Sequence, residues 1–263
     1  IWFTYGEHDD VIASDLIAKK RLNEKILVIA IPKKYSNKVG QWFYSLFLVL
    51  IHFSVLKNID VLKSNQIYGS WTPLIIKFLM SKPFIVRCGF LPTKMLYFSR
   101  KFEFLFIKIV EKLAFHLADL SVVSNLIDYE YAKKKYHPKN LRINPSYVDS
   151  SLFYMVPGMD MSMQNEKRIL FVGRLEEVKN IINMIDGVVS VGYSIDIYGD
   201  GTLRDSIERK YKKIIAENRV RLMGMVSNDK LAEIYRRYKF YILVSQREGM
   251  SKTLIEAMAS GLV

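Results

Sequence analysis

The chain has 263 residues, enough for one large domain or two of ordinary size, and 50% of them are hydrophobic, which excludes long disorder. The formal net charge is +13 and is concentrated at the front: residues 1–150 carry 22 Lys and Arg against 12 Asp and Glu. Such a surplus suits an anionic partner, a phosphorylated substrate or an acidic lipid surface; it does not suit nucleic acid, because no recognition helix, RNP-type aromatic strand or metal-finger spacing is present. The single Cys88 excludes an internal disulfide and fits a reducing, cytoplasmic compartment. A signal peptide is not expected from these residues; the chain opens inside the apolar run Ile1-Trp2-Phe3 and stops at Gly261-Leu262-Val263, which reads as a piece cut at both ends.

Taken in order, the pattern predicts a strand over 1–5, a helix over 11–21 and a strand over 26–31 closed by Pro32. Residues 41–56 are almost uncharged. A membrane span is one reading, but sixteen residues fall short of the ~20 that a bilayer requires, so a helix buried on a sheet is expected. A short strand over 60–64, a helix over 71–80 and a strand over 83–87 follow, the last ending in Arg87-Cys88-Gly89. Residues 97–117 form a long amphipathic helix in which Arg100, Lys101, Lys108 and Lys112 alternate with Phe102, Phe104, Leu105, Phe106, Ile109 and Leu113. That mixture fits a helix lying on a membrane surface, and equally a core-facing helix with a solvated basic face. A strand over 120–123, a helix over 125–135 and a strand over 141–144 complete this half.

Residues 146–166, rich in Met and Ser with Pro157 and Gly158, change character; 151–166 are taken as a linker. Beyond it, strands are expected over 169–172, 193–198, 220–223 and 240–244, with helices from Asn180, Thr202 and Asp229 between them. Strand–helix alternation on both sides of the linker predicts an α/β protein of two doubly wound, Rossmann-like domains facing each other across a cleft, 1–150 and 167–263.

Four strand ends of the second domain should emerge on one sheet edge, where open parallel sheets bind ligands. The first carries Gly173, where backbone can approach a ligand, and Arg174, which can fork two phosphate oxygens, with Lys179 following. The second carries Gly199 and Gly201, the third Gly224, Met225 and Val226, whose backbone could read a base edge. The fourth carries Glu248, Gly249 and Met250. Ser251, Lys252 and Thr253 then open a helix whose unpaired N–H groups attract phosphate, with Glu256 one turn inside, placed to accept both hydroxyls of a ribose. Leu254, Ile255, Met258 and Leu262 have the spacing of that helix's packed face.

Arg168 to Val263 resembles the nucleotide-binding domain of the retaining family-4 (group 1) glycosyltransferases of GT-B architecture. The matching pieces are Phe171-Val172-Gly173-Arg174-Leu175, Lys179-Asn180, Gly199-Asp200-Gly201, Gly224 and Glu248-Gly-Met-Ser-Lys-Thr-Leu-Ile-Glu256. Residues 60–87 and 118–153 are similar, more loosely, to the family's acceptor domain. The resemblance implies that Arg174 and Lys179 bind the diphosphate and assist its departure, that Glu256 holds the ribose, and that Glu248 faces the transferred sugar. The backbone after Gly249 would contact sugar and phosphate. It implies a hexose moved from a nucleoside diphosphate sugar (UDP or GDP) to a glycan or lipid-linked acceptor in cell-envelope or polysaccharide biosynthesis, with no cofactor. It also places the family's glycine-rich loop before residue 1, and its last strand and return helix after Val263.

No Asp-x-Asp pair occurs in the chain, so a metal clamp is not expected and the reaction should be metal-independent. Many relatives carry a His just after the strand that ends here at Arg87-Cys88-Gly89, and none of His8, His52, His116 and His137 takes that place. The basic first domain suggests peripheral contact with the inner face of a membrane. A non-catalytic nucleotide or glycan binder on the same scaffold is the alternative. A Rossmann oxidoreductase is disfavoured, because Gly199-Asp200-Gly201 runs into Thr202-Leu203-Arg204 without a third glycine.

Overall fold

The computed structural model describes residues 2–4, 28–30, 38–95, 101–156 and 167–263. The helix expected over 11–21, residues 97–100 of the helix expected over 97–117, and the linker from 157 to 166 lie outside the described residues. The chain divides into two compact units: residues 1–88, 98–122 and 132–141 form one, and residues 89–97, 123–131 and 142–263 form the other.

In the first unit β1 (Trp2–Thr4) and β2 (Val28–Ala30) pair in parallel with Trp2 beside Val28. A four-stranded sheet follows in chain order, β3 (Leu62–Ser64), β4 (Phe84–Cys88), β5 (Leu120–Val123) and β6 (Leu141–Ile143). Phe84, Val86 and Cys88 are buried and alternate with half-buried residues, the period of a strand that offers one face to a core. The apolar stretch expected over 41–56 forms a helix, Lys38–Ile51, and a short continuation, Phe53–Leu56. His52 interrupts it at φ −111° and ψ 23°, where its ring meets the Tyr44 hydroxyl 2.8 Å away. Among the described residues no helix is long and apolar enough to cross a membrane. Helix Trp71–Met80 forms as expected and ends at Ser81 in the left-handed region.

Helix Lys101–Leu117 buries Ile107, Val110, Ala114 and Phe115, the i, i+3, i+7, i+8 face that the spacing dictates. Phe115 stacks on Tyr136 with ring centres 5.1 Å apart. The same helix buries Glu111, which accepts a hydrogen bond from the Tyr136 hydroxyl. Asp119, at the start of β5, accepts from the Phe84 amide and from Lys77; the Lys77 bond is the main cause of its lowered pKa.

The second unit holds a parallel four-stranded sheet in the order β10 (Phe240–Tyr241), β7 (Arg168–Val172), β8 (Ser194–Tyr198), β9 (Val220–Gly224). Both faces are covered, which is why its strands read as nearly continuous apolar runs. Leu170 and Val172 point into a core completed by Leu231, Tyr235 and Ala257. Phe171, Ile195 and Ile197 point the other way, onto Met184, Ile185 and Val188 of helix Ile181–Ser190. Burying each such side chain stabilises the fold by about 1.5–3 kcal/mol.

The strand expected over 240–244 pairs as a ladder only at Phe240 and Tyr241, and the Ile242 amide adds one more bond to Leu170 O at 3.0 Å. Beyond it the backbone leaves the ladder, and the Gln246 amide bonds to Val178 O at 2.9 Å. A charged group lies inside the sheet itself. Asp196 of β8 has no exposed surface and accepts hydrogen bonds from Arg168, Arg221 and Tyr238. Burial pushes its carboxyl up, but the three donors outweigh that and hold it below the usual range.

Candidate active site

The carboxyl ends of β7, β8 and β9 are laced together by main-chain bonds. The Gly173 amide bonds to Tyr198 O at 3.0 Å, Leu175 to Asp200 O at 2.9 Å, Gly199 to Gly224 O at 2.8 Å and Leu203 to Leu175 O at 2.9 Å. Such bonds require the chains to approach more closely than side chains permit. Gly199 has φ +138°, and a Cβ there would stand 1.9 Å from the Gly173 carbonyl oxygen. Gly201 is similarly hemmed in by the Leu175 backbone, so the Gly199-Asp200-Gly201 turn is dictated by packing against the neighbouring loop. Met225 is 79% exposed beyond Gly224, and Val226 is half-buried against the Leu231 core.

The loop after β10 carries Glu248. Its carboxylate reaches Lys179 Nζ at 2.6 Å, across from the short 3-10 turn Glu177–Lys179. Two residues 69 apart in sequence are therefore in direct contact. Gly249 follows, where a Cβ would stand 2.5 Å from the Gly89 carbonyl oxygen. Asn125 places its side-chain NH2 3.5 Å from the Gly249 carbonyl and 2.9 Å from Asp128, while Ser124 donates to Gly89 O at 2.7 Å. Lys94 completes this group by pairing with Asp128 at 3.1 Å. Met250 receives the Ser146 amide on its sulfur.

Helix Lys252–Ala259 begins at Ser251, whose backbone is extended and whose side chain does not cap it. Ser251 Oγ instead meets Thr253 Oγ1 at 3.0 Å. The first amides of the helix are thus left with no side-chain acceptor, the arrangement that binds anions. Lys252, 57% exposed in its side chain, leans back to Glu256 Oε1 at 3.6 Å.

Glu256 is buried, as its position one turn into the helix implies. Burial raises its pKa, and the Lys252 charge and the Tyr235 hydroxyl, 3.3 Å from Oε2, counter only part of that. The surrounding hydroxyls were not anticipated. Tyr235 also reaches Thr253 O at 3.1 Å, and Tyr241 donates to Thr253 Oγ1 at 2.8 Å. Burial, with Glu248 and Glu256 both nearby, pushes the Tyr241 hydroxyl up to about 12, so it stays a donor at any physiological pH.

The expected face of this helix needs correction. Leu254 and Met258 are exposed, Met258 by 67%, and the buried face is Glu256, Ala257 and Ser260. The helix turns its small and polar side toward the Tyr235 and Tyr241 hydroxyls, because a buried Glu256 needs donors that an apolar face cannot supply. Leu262 does pack, beside Ala257, in the turn after the helix.

The structure thus joins Lys179 to Glu248 and Lys252 to Glu256, and laces Gly173, Gly199, Gly201 and Gly224 into one rim. It does not join Arg174 to them: that side chain is exposed at the end of β7 with no ion pair among the described residues. Sequence reasoning missed Tyr235, Tyr241, Asn125 and Asp128. A signal existed for two of them: a tyrosine inside an apolar strand needs a hydroxyl partner, and Asn125 three before Asp128 has helix-capping spacing, confirmed by Asp128 N donating to Asn125 Oδ1 at 2.8 Å. No group of three or more potential metal ligands occurs among the described residues.

Residues 162–263 match the family described as glycosyl transferases group 1. The chain is 36% identical over 99 residues to the UDP-N-acetylglucosamine–peptide N-acetylglucosaminyltransferase GtfA subunit of Streptococcus agalactiae, covering 36% of this chain and 19% of that protein. It is 26% identical over 157 residues to the GalNAc-alpha-(1->4)-GalNAc-alpha-(1->3)-diNAcBac-PP-undecaprenol alpha-1,4-N-acetyl-D-galactosaminyltransferase of Campylobacter jejuni, covering 57% of this chain and 41% of that protein. The chain thus spans less than half the length of either relative. Among solved structures, Anabaena HepE in complex with UDP-glucose superposes with a TM-score of 0.68 at 16% identity, over 95% of this chain and 68% of that one. Sucrose-phosphate synthase from Thermosynechococcus elongatus gives 0.69 at 19%, over 88% and 61%.

Proposed function

We propose that this chain, whose residues 162–263 are a group 1 glycosyltransferase domain, transfers a hexose from a nucleoside diphosphate sugar to a glycan or lipid-linked acceptor, with retention of configuration and without a metal. The observation that carries the reading is the Glu248–Lys179 contact standing beside a buried Glu256 and an uncapped helix start. Breaking the bond between the sugar C1 and the phosphate oxygen leaves negative charge on the diphosphate. Lys179, Arg174 and Lys252, with the free amides of Lys252 and Thr253, supply positive potential for that charge in place of a divalent cation. Glu256, held by Tyr235, is the acceptor for two ribose hydroxyls. Glu248, once diphosphate competes for Lys179, can accept a sugar hydroxyl and oppose positive charge developing at C1. Retention follows if the acceptor hydroxyl attacks the face that the diphosphate leaves, with its proton passing to the departing phosphate oxygen.

UDP is favoured over GDP as the donor nucleotide, on the strength of the relatives: the S. agalactiae protein is named for UDP-N-acetylglucosamine, and HepE was solved with UDP-glucose. The C. jejuni relative, named for an undecaprenol diphosphate-linked glycan, supports a lipid-linked acceptor in envelope or polysaccharide biosynthesis; a cytoplasmic location, peripheral to a membrane, is part of the same reading. A thermal-shift series with UDP, GDP, ADP and NAD, with and without EDTA, tests the reading, because a ligand that binds only the folded state raises its apparent stability. The expected result is a shift with UDP that survives EDTA and disappears in Glu256→Ala. A shift with NAD alone, or with none of the four, sinks it; loss of the UDP shift in EDTA sinks metal independence.

A further inference from the structure

Helix Lys101–Leu117 has a second apolar face that its core packing does not use. At 100° per residue, Phe102, Leu105, Ile109 and Leu113 fall within one arc opposite the buried Ile107, Val110 and Ala114. They are 74%, 54%, 49% and 42% exposed. Lys101, Lys108 and Lys112 run along one margin of this stripe, all exposed, and none of their side chains has an ion pair or hydrogen bond among the described residues. Of the helix's two acids, Glu111 is buried, and Glu103, which is exposed, lies about 100° round the helix from Phe102. Helix Trp71–Met80 packs against this helix and carries a further exposed phenylalanine, Phe78, 86% exposed.

Isolated apolar side chains on a surface are ordinary, but an aligned set with a lysine margin and no acid within it is not. We infer that this face docks on a membrane bearing anionic phospholipid, with the phenylalanines entering the headgroup–acyl boundary and the lysines meeting lipid phosphates. Charge decides the occupant. A second copy of the chain would set one lysine row near another, between molecules that each carry a formal +13. An anionic bilayer satisfies both the apolar stripe and its cationic margin, the pairing that holds interfacial helices at lipid surfaces. The surface belongs to the first unit and does not rest on the transferase reading.

The test is flotation of the whole chain with vesicles of 70:30 phosphatidylcholine to phosphatidylglycerol and with pure phosphatidylcholine, at low and high salt. Binding to the mixed vesicles should be at least tenfold tighter, and should weaken in high salt. Lys101→Gln with Lys108→Gln and Lys112→Gln should lose on the order of a hundredfold, at roughly a fivefold loss per lysine near an anionic surface. Phe102→Ser with Ile109→Ser should lose binding to both vesicle types. All five positions are exposed, so melting temperature and any UDP-induced shift should be unchanged in these variants. Equal binding to both vesicle types, no binding at all, or undiminished binding by the lysine variant overturns the inference. So does a wild-type dimer in light scattering that Phe102→Ser with Ile109→Ser converts to a monomer, since a second copy would then be the occupant.

Discussion

Each unit buries a glutamate against a tyrosine hydroxyl, and the two differ in where the helix carries it. Glu111 sits in the third turn of Lys101–Leu117, bonded to Tyr136 deep beside the first sheet. Glu256 sits in the second turn of Lys252–Ala259, bonded to Tyr235 but also facing the solvent-side Lys252, just past the carboxyl end of β10. A buried carboxylate therefore does not mark a site by itself. Its place at the edge of a parallel sheet, next to free helix amides, makes it available to a ligand.

The largest expected effect tests how tightly that edge is built. Gly199→Ala forces a Cβ into the Gly173 carbonyl and should cost more than about 4 kcal/mol, visible as loss of cooperative unfolding or of soluble protein. Gly69→Ala in the first unit, where nothing lies within 4 Å of the new Cβ, should stay within about 0.5 kcal/mol. Next is Glu248→Ala, which should cut turnover of a UDP-sugar by about a hundredfold or more while leaving UDP affinity nearly intact. A large loss of UDP affinity instead would place Glu248 on the nucleotide.

Third, the two glutamates should separate under conservative change. Glu256→Gln should weaken UDP binding about ten- to a hundredfold, the worth of a charged hydrogen bond, whereas Glu111→Gln should leave UDP binding alone and lower stability. The pH dependence runs accordingly. A folded-state pKa raised by burial means that the Glu256 carboxyl favours folding most when protonated, and that this contribution is lost as pH rises through its folded pKa. Glu256→Gln should therefore melt higher than wild type near pH 8, with the gap closing as pH falls. A wild-type protein that is the more stable one at pH 8 would show Glu256 to be held by more donors than Tyr235 and Lys252. The smallest effect is expected at the exposed Leu254 and Met258, where change to Gln should alter stability by less than about 0.5 kcal/mol.

The sequence made most of the sheet legible. The strand at 120–123 matches the structure to the residue, and those expected over 169–172, 193–198 and 220–223 match to within one, because strands covered on both faces leave apolar runs that few other elements produce. The start of the last helix was legible too, with Ser251 at its head and Glu256 inside. Its packed face was not. Leu254 and Met258 satisfy the helical period, and only the long-range positions of Tyr235 and Tyr241 turn the Glu256 side inward. The break at His52 was hidden for the same reason: no Pro or Gly marks it, and its ring partner Tyr44 is eight residues away. Lys179 and Glu248 could each be placed at the sheet edge, but their contact bridges 69 positions and is fixed by folding alone.

Asp196 has a consequence beyond its own burial. It is the cross-strand neighbour of both Leu170 and Arg221, and it gathers Arg168 from one adjoining strand and Arg221 from the other. A slip of β8 by a single position would turn its carboxylate into the aliphatic face beside Ile185 and Val188, stripped of every donor. The triad therefore acts as an index pin through three strands. Gly173 and Gly199 meet at one level because β7 and β8 can be threaded together in only one alignment, and the irregularity after Ile197 brings Gly224 opposite Tyr198.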